Sequence, residues 1–331
     1  MPFSVLSKGS MTGRSATSRV KRYEEGYEEP KFPIRRFDYV DGRNYHHSNN
    51  KKKHFLPCDD EELERLEVNT LLFRLLFPKR IFAPVEEDLK RGIRVLSVCA
   101  GPGFWLRDMA ELYPNSHFTG TDTVIYPVSN SRSNCHFRIA DPTIELPFAD
   151  NSFDYVVQHD AIYHYTRAEW DKVIQEMIRV TKPGGFLDYM ETSDTLQDLG
   201  PNFSVWLMRL TVSMQTRDIH FKLATQLETA LMETGLVRVL EASHRSAPIG
   251  WLGKLGDVAL ESVQRLFDSM KPRLCEDWSM NPHKYDKIVQ TAAQECREFK
   301  SWMNVYYVSC QKLDNHPSLH ATASASSRSH A

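Results

Sequence analysis

The chain has 331 residues, and 41 Lys and Arg against 43 Asp and Glu leave it a formal net charge of −2. A balance so close to neutral gives no electrostatic drive toward nucleic acid or an anionic membrane surface. Its 41% apolar and 25% charged residues exclude global disorder and suffice for one large domain or two small ones. Arg19-Val20-Lys21-Arg22 and Lys51-Lys52-Lys53 are local basic exceptions, read as solvated loops.

Residues 1–35 are rich in Ser, Lys, Arg and Glu without apolar periodicity, so disorder is expected there. Asp59-Asp60-Glu61-Glu62 then opens a helix, with acids suited to its first turn. Its apolar face reads Leu63, Leu66, Leu71, Leu72, Leu75, and Pro78 stops it. Ile93 to Val98 reads as a buried parallel strand, and Phe104 to Leu112 as an amphipathic helix. Between them stands a small-residue turn, Cys99-Ala100-Gly101-Pro102-Gly103. Strand, glycine turn and helix make a nucleotide-binding corner, because glycine permits close backbone approach and a helix N-terminus presents free N–H groups.

A dinucleotide fingerprint needs a third glycine three residues after Gly103, where Leu106 stands. That argues against NAD or FAD, and so against a small-molecule reductase. No Gly-Lys-Ser/Thr follows the turn, so a Walker loop is absent as well. His117 to Asp122 reads as a second strand, and its terminal carboxylate is well spaced to grip ribose hydroxyls. A third strand, Cys135 to Ile139, closes on Ala140-Asp141, and a fourth spans Tyr155 to Gln158. A helix from Arg167 to Thr181 ends at Lys182-Pro183-Gly184-Gly185, before a fifth strand from Phe186 to Met190.

Two amphipathic helices follow, Phe203 to Gln215 and Phe221 to Thr234, the second capped by Gly235. A sixth strand is expected over Leu236 to Ala242, a helical insertion over His244 to Lys300, and a last strand over Val305 to Cys310. The Ser/Ala/His-rich tail, 314–331, is expected to be disordered. Cysteines 58, 99, 135, 275, 296 and 310 are scattered without a C-x-x-C pair, and no apolar signal or membrane-length run appears. Reduced thiols in a cytoplasmic or nuclear protein are the expectation. His46-His47 falls in a polar loop, and His159 and His164 are not spaced i, i+4 on a helix, so no metal is expected.

The glycine corner, the acidic end of the second strand, "LPFADNSFDYVV" (146–157) and "EMIRVTKPGGFLDYME" (176–191), in that order, resemble the class I S-adenosylmethionine-dependent methyltransferases. The flanks narrow the likeness. Residues 42–77, "APIGWLGKLGDVALESVQRLF" (247–267) and "EFKSWMNVYYVSCQK" (298–312) look like the fungal LaeA-like members. The resemblance covers roughly residues 40–312 and is strongest over 95–191.

It implies an α/β fold: a Rossmann-like, mostly parallel seven-stranded sheet, its last strand antiparallel, with helices on both faces and a helical cover. The methyltransferase domain would span 36–313, with a cofactor-binding core about 91–191 and a cover from 59–77, 201–234 and 245–300. The implied cofactor is S-adenosyl-L-methionine, with Ser97, Cys99, Ala100, Gly101, Gly103, Asp122, Asp141 and Gln158 as its binding residues. The methyl acceptor, small molecule or protein, stays unidentified. A link to secondary metabolism and a regulatory protein partner are further implications. Ser97 stands where the family is usually acidic, Cys99 where it usually has glycine, and Pro142, after Asp141, has no N–H to donate. These departures bear on cofactor affinity and keep open a second possibility, an inactive fold serving as a regulatory interaction module.

Methyl transfer from a sulfonium is an in-line displacement, driven by alignment and desolvation. Oxygen and nitrogen acceptors also need a nearby base, and His159, Asp160 and His164 follow the fourth strand. His159 and His164 are the catalytic candidates. The alternatives are packing for His159, the pocket mouth for His164 beside Tyr163 and Tyr165, and a cap on the following helix for Asp160. Trp105 is either helix-start packing or a cofactor contact. Phe203, Trp206, Phe221 and Trp251 lie on segments covering the cleft, and Trp206 and Trp251 are expected to line an acceptor pocket.

Overall fold

The computed structural model describes residues 37–47, 54–123, 126, 132–193 and 196–314. The expectations for residues 1–35, for the tail after Asp314 and for the two basic clusters lie outside the described residues.

The described chain opens on a hairpin, β1 (Phe37–Val40) and β2 (Arg43–His46), which the sequence reading missed. Asp41 and Gly42 both have positive φ, 47° and 83°, as a two-residue primed hairpin turn requires. His46 therefore closes a strand and is not part of a loop. Asp59 caps α1 (Asp60–Leu76) by accepting from the Glu62 N–H at 3.1 Å. The same carboxylate takes two 2.7 Å bonds from the Arg43 guanidinium, tying the hairpin to the helix.

The apolar face expected of α1 is not the buried one. Glu62, Arg65, Asn69, Leu72 and Leu76 are buried, while Leu71 and Leu75 are each 38% exposed. The reason lies across the interface. Ser262 and Ser269 of α7 (Lys254–Asp277) donate to Asn69 Oδ1 at 3.0 Å and Glu62 Oε2 at 2.7 Å. Partnered polar groups thus occupy a contact that periodicity assigns to leucine.

The main sheet has seven strands among the described residues. They are β3 (Arg94–Val98), β4 (His117–Asp122), β5 (Cys135–Ile139), β6 (Phe153–His159), β7 (Thr181–Thr192), β8 (Val237–Pro248) and β9 (Trp302–Lys312). Their spatial order is β5-β4-β3-β6-β7-β9-β8, and β9 alone runs against the others. Side chains alternate across the sheet as the strand period demands. Val95, Tyr155 and Val157 face a core with α2 (Glu86–Arg91) and α3 (Phe104–Leu112). Leu96, Val98 and Val156 face the larger core with α4 (Arg167–Val180), α5 (Pro201–Gln215) and α6 (Leu223–Glu233). The insertion expected over 244–300 begins later, because β8 pairs with β9 as far as Pro248. It contains α7 and α8 (Pro282–Glu298).

Strand order reverses between β3 and β6, so the ligand crevice of such a sheet lies beyond their C-terminal ends. Asp188, fully buried in β7, pins the approach to β3. It accepts from the N–H groups of Phe82 at 2.8 Å and Ala83 at 3.0 Å, and from the Tyr155 hydroxyl. Asp188→Ala orphans these donors and should lower unfolding stability by about 3 kcal/mol in urea titration. A loss below about 0.5 kcal/mol, the range of an unremarkable surface change, would show that this anchor is dispensable.

Candidate functional site

The larger cavity among the described residues opens at the C-terminal ends of β3, β4, β5 and β6. Its floor is the turn after β3. Gly101 has φ +53°, and a Cβ there would meet only Leu66 Cδ1 at 3.9 Å, so its backbone faces open space. Gly103 is different. It caps α3 at φ +73°, and a Cβ would strike the Phe137 ring at 2.2 Å. One glycine opens the cradle and the other admits Phe137. Cys99 adopts φ +55° with a full side chain, a left-handed conformation that costs a non-glycine residue about 1 kcal/mol or more.

Ser97, Cys99, Ala100, Gly101, Asp122, Asp141, His159 and His164 all line this cavity. Gly103 and Gln158 are not among the lining residues. The Gln158 side chain is buried, with Nε2 donating to the Tyr165 hydroxyl at 3.3 Å. The strand runs one residue further than expected, so His159 and Asp160 stand at its tip.

Asp122 Oδ2 accepts from the Gly101 N–H at 2.8 Å, which joins the end of β4 to the glycine turn. Asp141 Oδ1 accepts from the Thr143 N–H at 2.9 Å and the Thr143 hydroxyl at 2.6 Å, fixing the turn that carries buried Pro142. Each of these carboxylates is therefore a turn-forming group and a cavity wall at once. Asp108 is neutralised by Arg74 and Arg80, and Glu62 by Arg65. Asp122, Asp141 and Asp160 make the cavity acidic. Burial and the nearby charges of Asp122, Glu191 and Asp141 push the Cys99 thiol well above its usual range.

His159 packs edge-on against Trp105, ring centroids 5.1 Å apart. Burial pushes its imidazole down to about 4, so it is neutral at pH 7. Trp105 combines both roles considered for it: its Nε1 donates to the Arg80 carbonyl at 2.9 Å, and its ring lines the cavity. His164 is exposed at the mouth. Desolvation of its ring nitrogens, with His54 and Arg65 nearby, pushes its imidazole down. Asp160 does not cap a helix; Thr166 caps α4. Asp160 has φ +54° and accepts from Asn69 Nδ2 at 2.6 Å and Thr192 Oγ1 at 3.0 Å.

Of the cover aromatics, Trp206 and Phe221 line a second, smaller cavity. Phe203 is core, its ring tilted against Trp206 and edge-on to Phe267. Trp251 lines neither cavity. It packs edge-on against Trp302 and donates to the Ser301 carbonyl at 2.8 Å, which removes it from the expected acceptor site. Asn69, Leu66, Tyr126 and Met190 line the larger cavity and were missed. For Asn69 a signal existed: Glu62, Arg65 and Asn69 recur at i, i+3, i+7 on one face of α1.

Residues 95–185, which hold this corner and its strand ends, match the methyltransferase domain family. Over that stretch the chain resembles a methyltransferase domain. It resembles LaeA: the secondary metabolism regulator laeA of Aspergillus niger is 27% identical over 169 residues, covering 50% of this chain and 43% of that protein. A demethylmenaquinone methyltransferase of Listeria welshimeri is 34% identical over 126 residues, 36% of this chain and 50% of that one. The chain spans about half the length of the curated relatives it matches. Among solved structures, phosphoethanolamine N-methyltransferase 2 of Haemonchus contortus, in complex with S-adenosyl-L-methionine, superposes with a TM-score of 0.47 at 17% identity. That superposition covers 82% of this chain and 62% of that one. Among the described residues, no helix is long and apolar enough to cross a membrane.

The depressed His159 imidazole has a measurable consequence. Between about 4 and its ordinary 6.5, the unfolded chain holds a proton there that the folded chain refuses. Stability from His159 is therefore complete above pH 6.5 and is lost as pH falls toward 4. Asp160 and Glu191, pushed up by burial, act with the opposite sign: their contribution is lost as pH rises through their folded values. Both titrate in wild type and in His159→Gln alike, so the difference isolates the histidine. Unfolding free energies at pH 7 and pH 5 should fall less in His159→Gln than in wild type. Equal falls would mean that His159 is not desolvated.

Proposed function

We propose that residues 36–313 bind S-adenosyl-L-methionine and transfer its methyl group to an acceptor oxygen or nitrogen. One observation carries the reading: Asp122, Asp141 and Asp160 ring a cavity floored by the open Gly101 turn. A ligand with a sulfonium and an ammonium group is cationic where it meets this wall, so charge and shape both fit. Asp122 would hold the ribose hydroxyls, as a carboxylate at a strand end can. Pro142 and Thr143 would border the base, with no N–H from Pro142. The cofactor supplies a methyl group activated by positive sulfur. The protein supplies alignment, a neutral His159 against Trp105, and apolar walls that exclude water.

A second reading, a weakly active or inactive domain serving as a regulatory interaction module, draws on Ser97, strained Cys99 and Pro142 in that same lining. The relatives named secondary metabolism regulators make it concrete, and a role in secondary metabolism belongs to both readings.

S-adenosylhomocysteine at about a hundred times its dissociation constant should stabilise the protein by roughly 2.7 kcal/mol. An unmoved melting temperature at millimolar ligand would leave only the interaction module. Asp122→Ala should weaken the ligand at least tenfold, about 1.4 kcal/mol, in calorimetric titration while the fold persists. Cys99→Gly relieves the φ of +55°, and Ser97→Asp adds an acid beside a cationic ligand. The double variant should bind S-adenosylmethionine more tightly than wild type. Weaker binding would show that this corner is already matched to its own residues.

A further inference from the structure

The smaller cavity lies beneath the cover and is lined largely by apolar side chains, among them Leu207, Leu210, Phe221, Leu266, Phe267 and Met303. It shares two residues with the larger one. Asn69 and Asp160 line both, so the two spaces are separated by little more than this hydrogen-bonded pair. The pair is held on all sides: Ser262 donates to Asn69 Oδ1 at 3.0 Å, and Thr192 donates to Asp160 Oδ1 at 3.0 Å. Asp160 also keeps a strained φ of +54°, the kind of local cost that survives where surrounding structure imposes it.

We infer that the smaller cavity receives a short apolar arm of a neutral methyl acceptor, and that Asp160 takes the proton from the acceptor's hydroxyl as the methyl group moves. The inference rests on the cofactor reading above. In the step, a bond forms between the hydroxyl oxygen and the methyl carbon, and the carbon–sulfur bond breaks with its electron pair going to sulfur. The hydroxyl proton passes to the Asp160 carboxylate. Two lone-pair positions on that carboxylate are filled by Asn69 and Thr192, and an ionised carboxylate has room for about two more bonds. Burial raises its basicity above that of a surface carboxylate, while Arg65 nearby favours the ionised form. Among the lining residues described for the smaller cavity, Arg65 and Asp160 alone carry charge, which selects a neutral arm over an ionic one.

The probe is 4-fluorophenol, with fluorobenzene as its hydroxyl-free control, added to the full chain; fluorine NMR follows the probes and proton–carbon NMR follows the methionine methyl groups of the protein. The phenol should bind and displace the Met303 methyl resonance of the wild-type protein. Leu207→Phe and Leu266→Phe, each filling the cavity, should weaken it about tenfold. Asp160→Asn should weaken the phenol about tenfold and leave fluorobenzene unchanged. S-adenosylhomocysteine titrated into wild type and both Phe variants should bind equally. An unmoved Met303 methyl in wild type, or undiminished phenol binding in either Phe variant that folds, overturns the cavity assignment. Equal loss of phenol and fluorobenzene in Asp160→Asn overturns the proton acceptor. Failure of S-adenosylhomocysteine to bind wild type strikes the cofactor reading instead, whatever the phenol does.

Discussion

Glu191 at the end of β7 has no accessible surface, and both of its oxygens are spent on the backbone of the segment that follows β6. The Ala161 N–H donates to one at 3.1 Å and the Ile162 N–H to the other at 2.9 Å. That segment carries Asp160, His164 and Tyr165 and continues directly from His159, so the tip of the site is held by one buried carboxylate. Burying it is expensive, and desolvation followed by the charge of Asp160 pushes its pKa well above the ordinary range. The arrangement persists because removing the carboxylate would strand two backbone donors with no water to replace it. Asp160 answers the same problem from the other side, through Asn69, Thr192 and the neighbouring Arg65. The cover helices α1 and α7 are thus joined to the sheet by polar contacts placed beside the cleft.

This explains which parts of the fold were legible in the sequence. The central strands β3 and β6 were, because each buries residues on both faces and reads as an apolar run, and the turn after β3 is punctuated by glycine. The reversed last strand came from the family likeness, and β9 runs antiparallel to both neighbours. The contact face of α1 was not legible. Periodicity assumes that a helix buries its leucines, whereas Glu62 and Asn69 meet serines nearly two hundred residues distant or more, and Arg65 pairs with Glu62. The Asp41-Gly42 hairpin carried a local signal and was overlooked amid polar residues. The long pairing of β8 with β9 depends on a partner far along the chain, and polar Ser243, His244 and Arg245 gave no apolar run to reveal it.

At the candidate site, residues at strand ends were the readable ones. Asp122 and Asp141 follow short strands directly, so topology alone brings them to one rim. Gln158 shows the limit of that logic. With β6 ending at His159, Gln158 turns inward beneath Tyr165 while His159 lines the cavity. The glycines divide in the same way. Spacing marks Gly101 and Gly103 as a pair, but Gly101 faces open space and Gly103 accommodates Phe137. Only packing distinguishes them.

Electrostatics then ties the departures from the family pattern to one another. Cys99 and Ser97 are uncharged where the family has glycine and an acid, yet the cavity remains acidic through Asp122, Asp141 and Asp160. In an enclosed site burial first, and neighbouring carboxylates second, raise the cost of each ionised acid, and both push up the titrations of Asp160, Glu191 and Cys99. A cation bound among them would relieve that repulsion, so the empty-state cost becomes binding selectivity for positive charge. Ser97 lowers the cost by withholding one acid, and it lowers the attraction by the same withholding.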